Sequence, residues 1–242
     1  MDNSIYVTLS GQLTLFHDME ATANNVANAE TAGYDADHIL FNSYVTQDVN
    51  QGNRNPMAFA TEASTYRDIT NGPMKVTGRD LDVAIQGEGY FEVETPLGIR
   101  YTRAGNFQIG ADGTLVSAEG YPVLDNSGQH ILLPDDTDKI DIGAAGNLKV
   151  NGEDFGSLGI VRFDHPQLLE RMGNRLFKSD AQPSPADSAN ILQGTLEGSN
   201  VQPILEMTHM VDLSHQVANT AQLISVVYDL ETKTADAWAQ QL

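Results

Sequence analysis

"DLDVAIQGEGYFEVETPLGIRYTRAGNFQIGADGTLVSAEGYPVLD", residues 80–125, alternates apolar and polar side chains in short runs broken by glycine. Leu81, Val83 and Ile85 share one phase, followed by Phe91 and Val93, Ile99 and Tyr101, Phe107 and Ile109, then Tyr121 and Val123. A period of two places each set on one face of a strand. "QGEG", "TPLG", "ADG", "AEG" and the neighbouring "DNSG" are turn signals, because glycine takes positive φ at no steric cost and Asp or Asn hydrogen-bonds its own turn. Further strands are expected at 139–142, 147–150 and 158–163, so residues 76–178 read as a mainly antiparallel β domain.

Outward from this segment the period changes at both ends. Ile5, Leu9, Leu13, Phe16, Met19, Ala23 and Val26 recur every three or four residues, the stripe of a helix about 40 Å long. Pro203 suits a first helical turn, Glu206 places an acid at the positive helix end, and neither Gly nor Pro follows to Leu242, allowing a helix of roughly 58 Å. One face of it carries Met207, Val211, Ser214, Ala218, Ala221, Ser225 and Tyr228, small enough for another helix to approach closely. A second stripe of Met210, Val217, Leu223, Ile224 and Val227 widens the apolar surface. The expected fold class is α+β: paired, coiled-coil-like long terminal helices (1–34 and 200–242) with the β domain inserted between them through extended connectors at 35–75 and 179–199. Pattern alone leaves open whether the helices pack within a chain or between chains.

Charge narrows the function classes. Thirteen basic residues oppose thirty-three acidic ones, a formal charge of -20 that repels nucleic acid and anionic membranes. Residues 1–53 hold seven acids and no Lys or Arg, the first base being Arg54; from Ser179 onward eight acids face only Lys233. A start without bases lacks the n-region of a secretory signal, and no apolar run reaches the roughly 18 residues of a membrane span. The absence of cysteine removes disulfides, thiolate metal sites and cysteine nucleophiles together.

The search for chemistry yields little. No GxSxG, GxxxxGK or HExxH pattern occurs. Asp135, Asp136, Asp138 and Asp141 in "LPDDTDKID" could gather a cation, but the run lacks the central Gly and terminal Glu of a calcium loop, so a solvated turn is expected. His209 and His215, six apart on a helix, point roughly 200° away from each other. Asp80 and Asp82 flank Leu81 on the outward side of a strand, where a glycosidase could place two carboxylates. In "QGEGYF" a hairpin turn accounts for both glycines, so no catalytic, cofactor or metal residue is expected.

Three further stretches carry a resemblance. "ANNVANAETAGY", residues 23–34, resembles the Asn-Asn-x-Ala-Asn-x-x-Thr-x-Gly-Tyr motif that closes the N-terminal helix of flagellar rod and hook proteins. Residues 80–125 are similar along their length to that family's core β segment, and "LEGSNVQPILEM", residues 196–207, to its signature before the C-terminal helix. The opening "MDNSIYVTLSG" and Pro203 with Glu206-Met207 resemble members of the proximal rod, although distal rod or hook relatives share the motifs.

The resemblance implies a structural subunit, exported through the flagellar type III apparatus without a cleaved signal. It would be built with itself and other rod proteins into a helical tube in the periplasm, with no membrane insertion and no nucleic acid. The positions it marks for assembly are Asn24, Asn25, Asn28, Thr31, Gly33, Tyr34, Ser199, Asn200, Val201, Met207, Val211, Ala218 and Tyr228. Where the family commonly carries a base after Gly-Tyr, this chain has Asp35 and Asp37, which calls for basic neighbours. The rival class is a secreted polysaccharide-binding or hydrolytic β protein, supported by the acidic clusters.

Overall fold

The computed structural model describes residues 2–46, 57–134, 139–173, 175–186 and 189–239, with the side chains of 2–6, 42–46, 57–63, 231 and 234–239 outside the description. The aspartates Asp135, Asp136 and Asp138 and the side chain of Ile5 therefore lie outside the described residues. The chain is α+β and divides into two compact units, Met1–Ala27 with Asp37–Asp68 and Gln202–Leu242, and Asn28–Ala36 with Ile69–Val201.

The first unit holds the two terminal helices, α1 (Asp2–Ala27) and α2 (Pro203–Ala239), and an antiparallel pair of strands, Asp37–Thr46 with Met57–Arg67. Hydroxyls within the helices turn back onto the preceding backbone, Thr14 Oγ1 to Ser10 O at 2.9 Å and Thr208 Oγ1 to Ile204 O at 2.9 Å. On α2 the two stripes differ in fate. Leu213 is buried at 2% exposure, and Met210, Val217, Ile224 and Val227 are partly covered along the same face. Met207, Val211, Ser214, Ala218, Ala221, Ser225 and Tyr228 all stay exposed, as does Leu223. On α1, Leu9, Leu13 and Phe16 are exposed, whereas Thr22 and Asn25 are buried.

In the second unit a six-stranded antiparallel sheet runs in the order Glu170–Met172, Leu176–Lys178, Gly98–Thr102, Tyr90–Thr95, Ile160–Arg162, Ser184–Pro185. Its central hairpin pairs Phe91 with Thr102 and Thr95 with Gly98. Ile140–Ile142, Asn147–Val150 and Glu153–Ser157 form a three-stranded sheet. Short pairs join Val83–Gln86 to Asn190–Gln193 and Met74–Val76 to Thr195–Glu197. The main core gathers Val83, Ile85, Phe91, Val93, Phe107 and Leu148. A second cluster stacks Tyr101 on Phe163 edge to face at 4.7 Å and Tyr90 on Phe177 at 5.8 Å.

Two local readings change. Asp82 is not outward: it is 1% exposed and begins a run in which Val83, Ala84 and Ile85 are all at 0%. A strand buried on both sides reads continuously rather than alternately. The stretch at 158–163 is a strand only over Ile160–Arg162, because the Gly159 amide bonds Leu124 O at 2.9 Å and leaves no room for a Cβ.

Candidate assembly site

After Ala27 the chain turns through the second half of the Asn-rich motif. Thr31 N donates to Asn28 O at 3.0 Å and Thr31 Oγ1 to Asn28 Oδ1 at 3.2 Å. Gly33 follows at φ +67, and a Cβ built there would sit 2.6 Å from Ala104 N, so both conformation and space demand glycine. Its amide donates to Glu197 O at 2.9 Å. Tyr34, 3% exposed, packs with Ala36 and Val201 and lies under Arg171, whose guanidinium carbon is 4.4 Å from the ring centre. Arg171 also donates to Asp35 O at 2.6 Å.

The other side of this junction comes from the motif at 196–207. Asn200 Oδ1 accepts Ala36 N at 2.7 Å, its Nδ2 donates to Thr70 O at 3.0 Å, and its own amide reaches Tyr34 O at 3.4 Å. Ser199, buried at 5%, accepts Val201 N through its hydroxyl at 3.2 Å. Asn28, Thr31, Gly33 and Tyr34 are thus brought together with Asn200 and Val201, residues more than 160 positions away in the sequence.

Beneath the junction lies a buried ion pair. Arg103 Nε donates to Glu197 Oε2 at 2.8 Å, with the two side chains 7% and 3% exposed. Every arm of the pair is occupied: Arg103 donates to the carbonyls of Gly89, Ile85 and Gly87 at 3.0, 3.3 and 3.2 Å, and Glu197 Oε1 accepts Gly72 N at 3.1 Å. Buried charges are tolerated when paired and fully hydrogen-bonded in this way.

Within the helical unit, Asn25 holds the end of α1 to the strand that follows. Its Oδ1 accepts Asp37 N at 3.0 Å and its Nδ2 donates to Asp37 O at 2.8 Å, so the side-chain amide mimics a strand partner. Nδ2 also lies 3.4 Å from Glu206 Oε2 in the first turn of α2. Asn24 is exposed on the same turn. Met207, Val211, Ala218 and Tyr228 lie apart from the junction, in line along the open face of α2.

Residues 84–150 match the family model of the flagellar hook protein FlgE/F/G D1 domain, and residues 192–236 that of the flagellar basal body rod FlgEFG protein C-terminal region. The flagellar basal-body rod protein FlgF of Caulobacter vibrioides is 33% identical over 239 residues, 98% of each chain. FlgF of Mesorhizobium japonicum is 37% identical over 227 residues, 93% of this chain and 92% of that one. FlgG of Bacillus subtilis is 30% identical over 250 residues, 93% and 95% of the two chains. The chain belongs to the flagellar basal-body rod protein family.

It is a structural rod subunit of the kind most like FlgF. Asp80 is exposed while Asp82 is buried, so the two carboxylates do not share a face. His209 Nε2 lies 3.3 Å from Asp18 Oδ2, and no group of three His, Cys, Asp or Glu among the described residues could hold a metal. Asp141, the described member of the acidic run, is paired with Lys139 at 2.8 Å.

Reading the rod motifs alone missed Arg103, Glu197 and Arg171. Glu197 lies inside the quoted signature, and Arg103 follows a strand that ends in two buried residues, Tyr101 and Thr102. A charged residue at such a place was the available signal.

Two outcomes follow. Glu197→Ala leaves Arg103 buried without its carboxylate and should lower stability by about 3–5 kcal/mol in urea unfolding, with Arg103→Met/Glu197→Met losing less than Glu197→Ala alone. A double variant as unstable as the sum of its singles would contradict this. Asn25→Ala removes both bonds to Asp37 and should cost about 1–3 kcal/mol locally, read as faster hydrogen exchange of the Asp37 amide; unchanged exchange would refute it.

Proposed function

We propose that this rod subunit belongs to the proximal rod, where it polymerises with itself and with other rod proteins into a helical tube that transmits torque across the periplasm. The observation that carries the reading is the open face of α2. Met207, Val211, Ser214, Ala218, Ala221, Ser225 and Tyr228 fall at alternating spacings of four and three, all exposed, and Leu9, Leu13 and Phe16 repeat that spacing on α1. Apolar stripes with this period are the seams of helix-to-helix packing, and an isolated chain leaves them in water. Head-to-tail repetition of one such contact builds an open helical assembly rather than a closed ring.

In this reading the terminal helices, residues 1–34 and 200–242, pair as the inner, coiled-coil-like domain. The approaches of His209 to Asp18 and of Asn25 to Glu206 support that pairing. Residues 76–178 form the β domain, and 35–75 with 179–199 are the connectors. Asn24 and Asn25 hold the end of α1, Asn28, Thr31, Gly33, Tyr34, Ser199, Asn200 and Val201 hold the turn that follows it against the segment ahead of α2, and Met207, Val211, Ala218 and Tyr228 meet neighbouring subunits. The flagellar export apparatus delivers the chain. The protein is not an enzyme and does not bind nucleic acid, in keeping with its charge of -20. Membrane insertion plays no part, in keeping with the finding that no helix among the described residues is long and apolar enough to cross a membrane.

Hook–basal bodies purified from the source bacterium should contain this chain by peptide mass spectrometry. Val211→Glu should leave the purified protein's unfolding midpoint unchanged and remove it from those particles. Recovery of the unmodified chain only from soluble fractions, or normal incorporation of Val211→Glu, would refute the reading.

A further inference from the structure

Glu92 is the one residue of the run Tyr90–Val93 that is not buried, and it lines a cleft of about 370 Å³. Leu158, Ile160, Val161, Pro185 and Ala186 line the cleft, no basic residue lines it among the described residues, and Asn126 also lines it. Among the described residues no hydrogen bond or ion pair reaches the Glu92 carboxylate, and burial pushes its pKa above the ordinary carboxylate value. Asn126 Nδ2 donates to Ser157 Oγ at 2.8 Å, leaving the amide oxygen as a second acceptor. The groups present are an acceptor pair set among aliphatic walls.

We propose that this cleft receives a lysine or arginine side chain from a different rod protein, its methylenes against the aliphatic wall and its cation on Glu92 and Asn126. Long basic side chains are built for such a site, with an apolar stem and a charged tip. A divalent metal is a poor match, since two side chains supply too few oxygens for a hard cation. A second copy of this chain is a poor donor as well. Lys75, Arg79, Arg103, Lys139, Lys149, Arg175 and Lys178, seven of its thirteen bases, already face carboxylates of their own chain. With a net charge of -20 the subunit needs cations from elsewhere at its contacts. The inference rests on the rod assembly described above and adds to it the chemistry of one contact.

Glu92→Gln keeps the shape and removes the charge, and Glu92→Lys reverses it. Each variant is expressed in place of the natural chain, its amount in purified hook–basal bodies is measured by quantitative peptide mass spectrometry, and the purified protein is unfolded in urea. Glu92→Gln should be at least as stable as the natural chain, because a partly desolvated charge is gone, yet its incorporation should fall on the order of tenfold or more. Glu92→Lys should not incorporate. Wild-type incorporation of Glu92→Gln would overturn the proposal while leaving the rod reading intact. A loss of stability in Glu92→Gln would overturn it too, by making the carboxylate part of the fold. Absence of the unmodified chain from the particles would overturn the rod reading and this contact with it.

Discussion

The pairing of Arg103 with Glu197 is the constraint on which the β unit's junction depends. Two charges 2.8 Å apart and almost fully buried are costly to desolvate, and the cost is met only because each remaining polar atom has a partner. Those partners are the carbonyls of residues 85, 87 and 89 and the amide of Gly72, so one ion pair ties the segment 85–89 to the chain at Gly72. Through the Glu197 carbonyl it also sets the place of Gly33, and through the backbone that follows it the place of Asn200. The Asn-rich motif and the signature ahead of α2 are therefore two halves of a single structure, separated in sequence by the whole β segment.

Much of this architecture was legible in advance, and the exceptions have physical causes. The hairpin of Tyr90–Thr95 with Gly98–Thr102 follows from alternation and a two-residue turn, and the helix bounds near Ala27 and Pro203 follow from the end of an apolar period and from proline. Asp82 escaped because alternation fails where a strand is buried on both faces. The covered side of α2 escaped for another reason. Its two stripes have the same spacing and lie about one residue apart, so periodicity cannot tell which one meets the fold. At the junction, Gly33 and Asn200 carried a motif, whereas the roles of Arg103 and Glu197 come from tertiary pairing, which local pattern does not encode.

The acidic excess gains meaning from this arrangement. Internal ion pairs consume most of the bases in the β unit, among them Lys75 with Glu30, Lys178 with Glu170 and Arg175 with Glu119. The terminal segments, with seven acids and no base before Arg54, have no such compensation in their own sequence. A subunit of this kind disfavours premature self-association through like-charge repulsion, and it favours neighbours of opposite charge. In the proposed assembly, apolar seams on the helices supply attraction, and charge selects the partner.

The central claim is that the exposed stripe of α2 is an interface within the rod. A photo-crosslinking amino acid at position 211, introduced in motile cells and activated before basal bodies are purified, tests it most directly. The account predicts covalent adducts between this chain and another rod subunit, mapped by mass spectrometry to the partner's terminal helices. Crosslinks confined to the same chain, or to proteins outside the basal body, would contradict it.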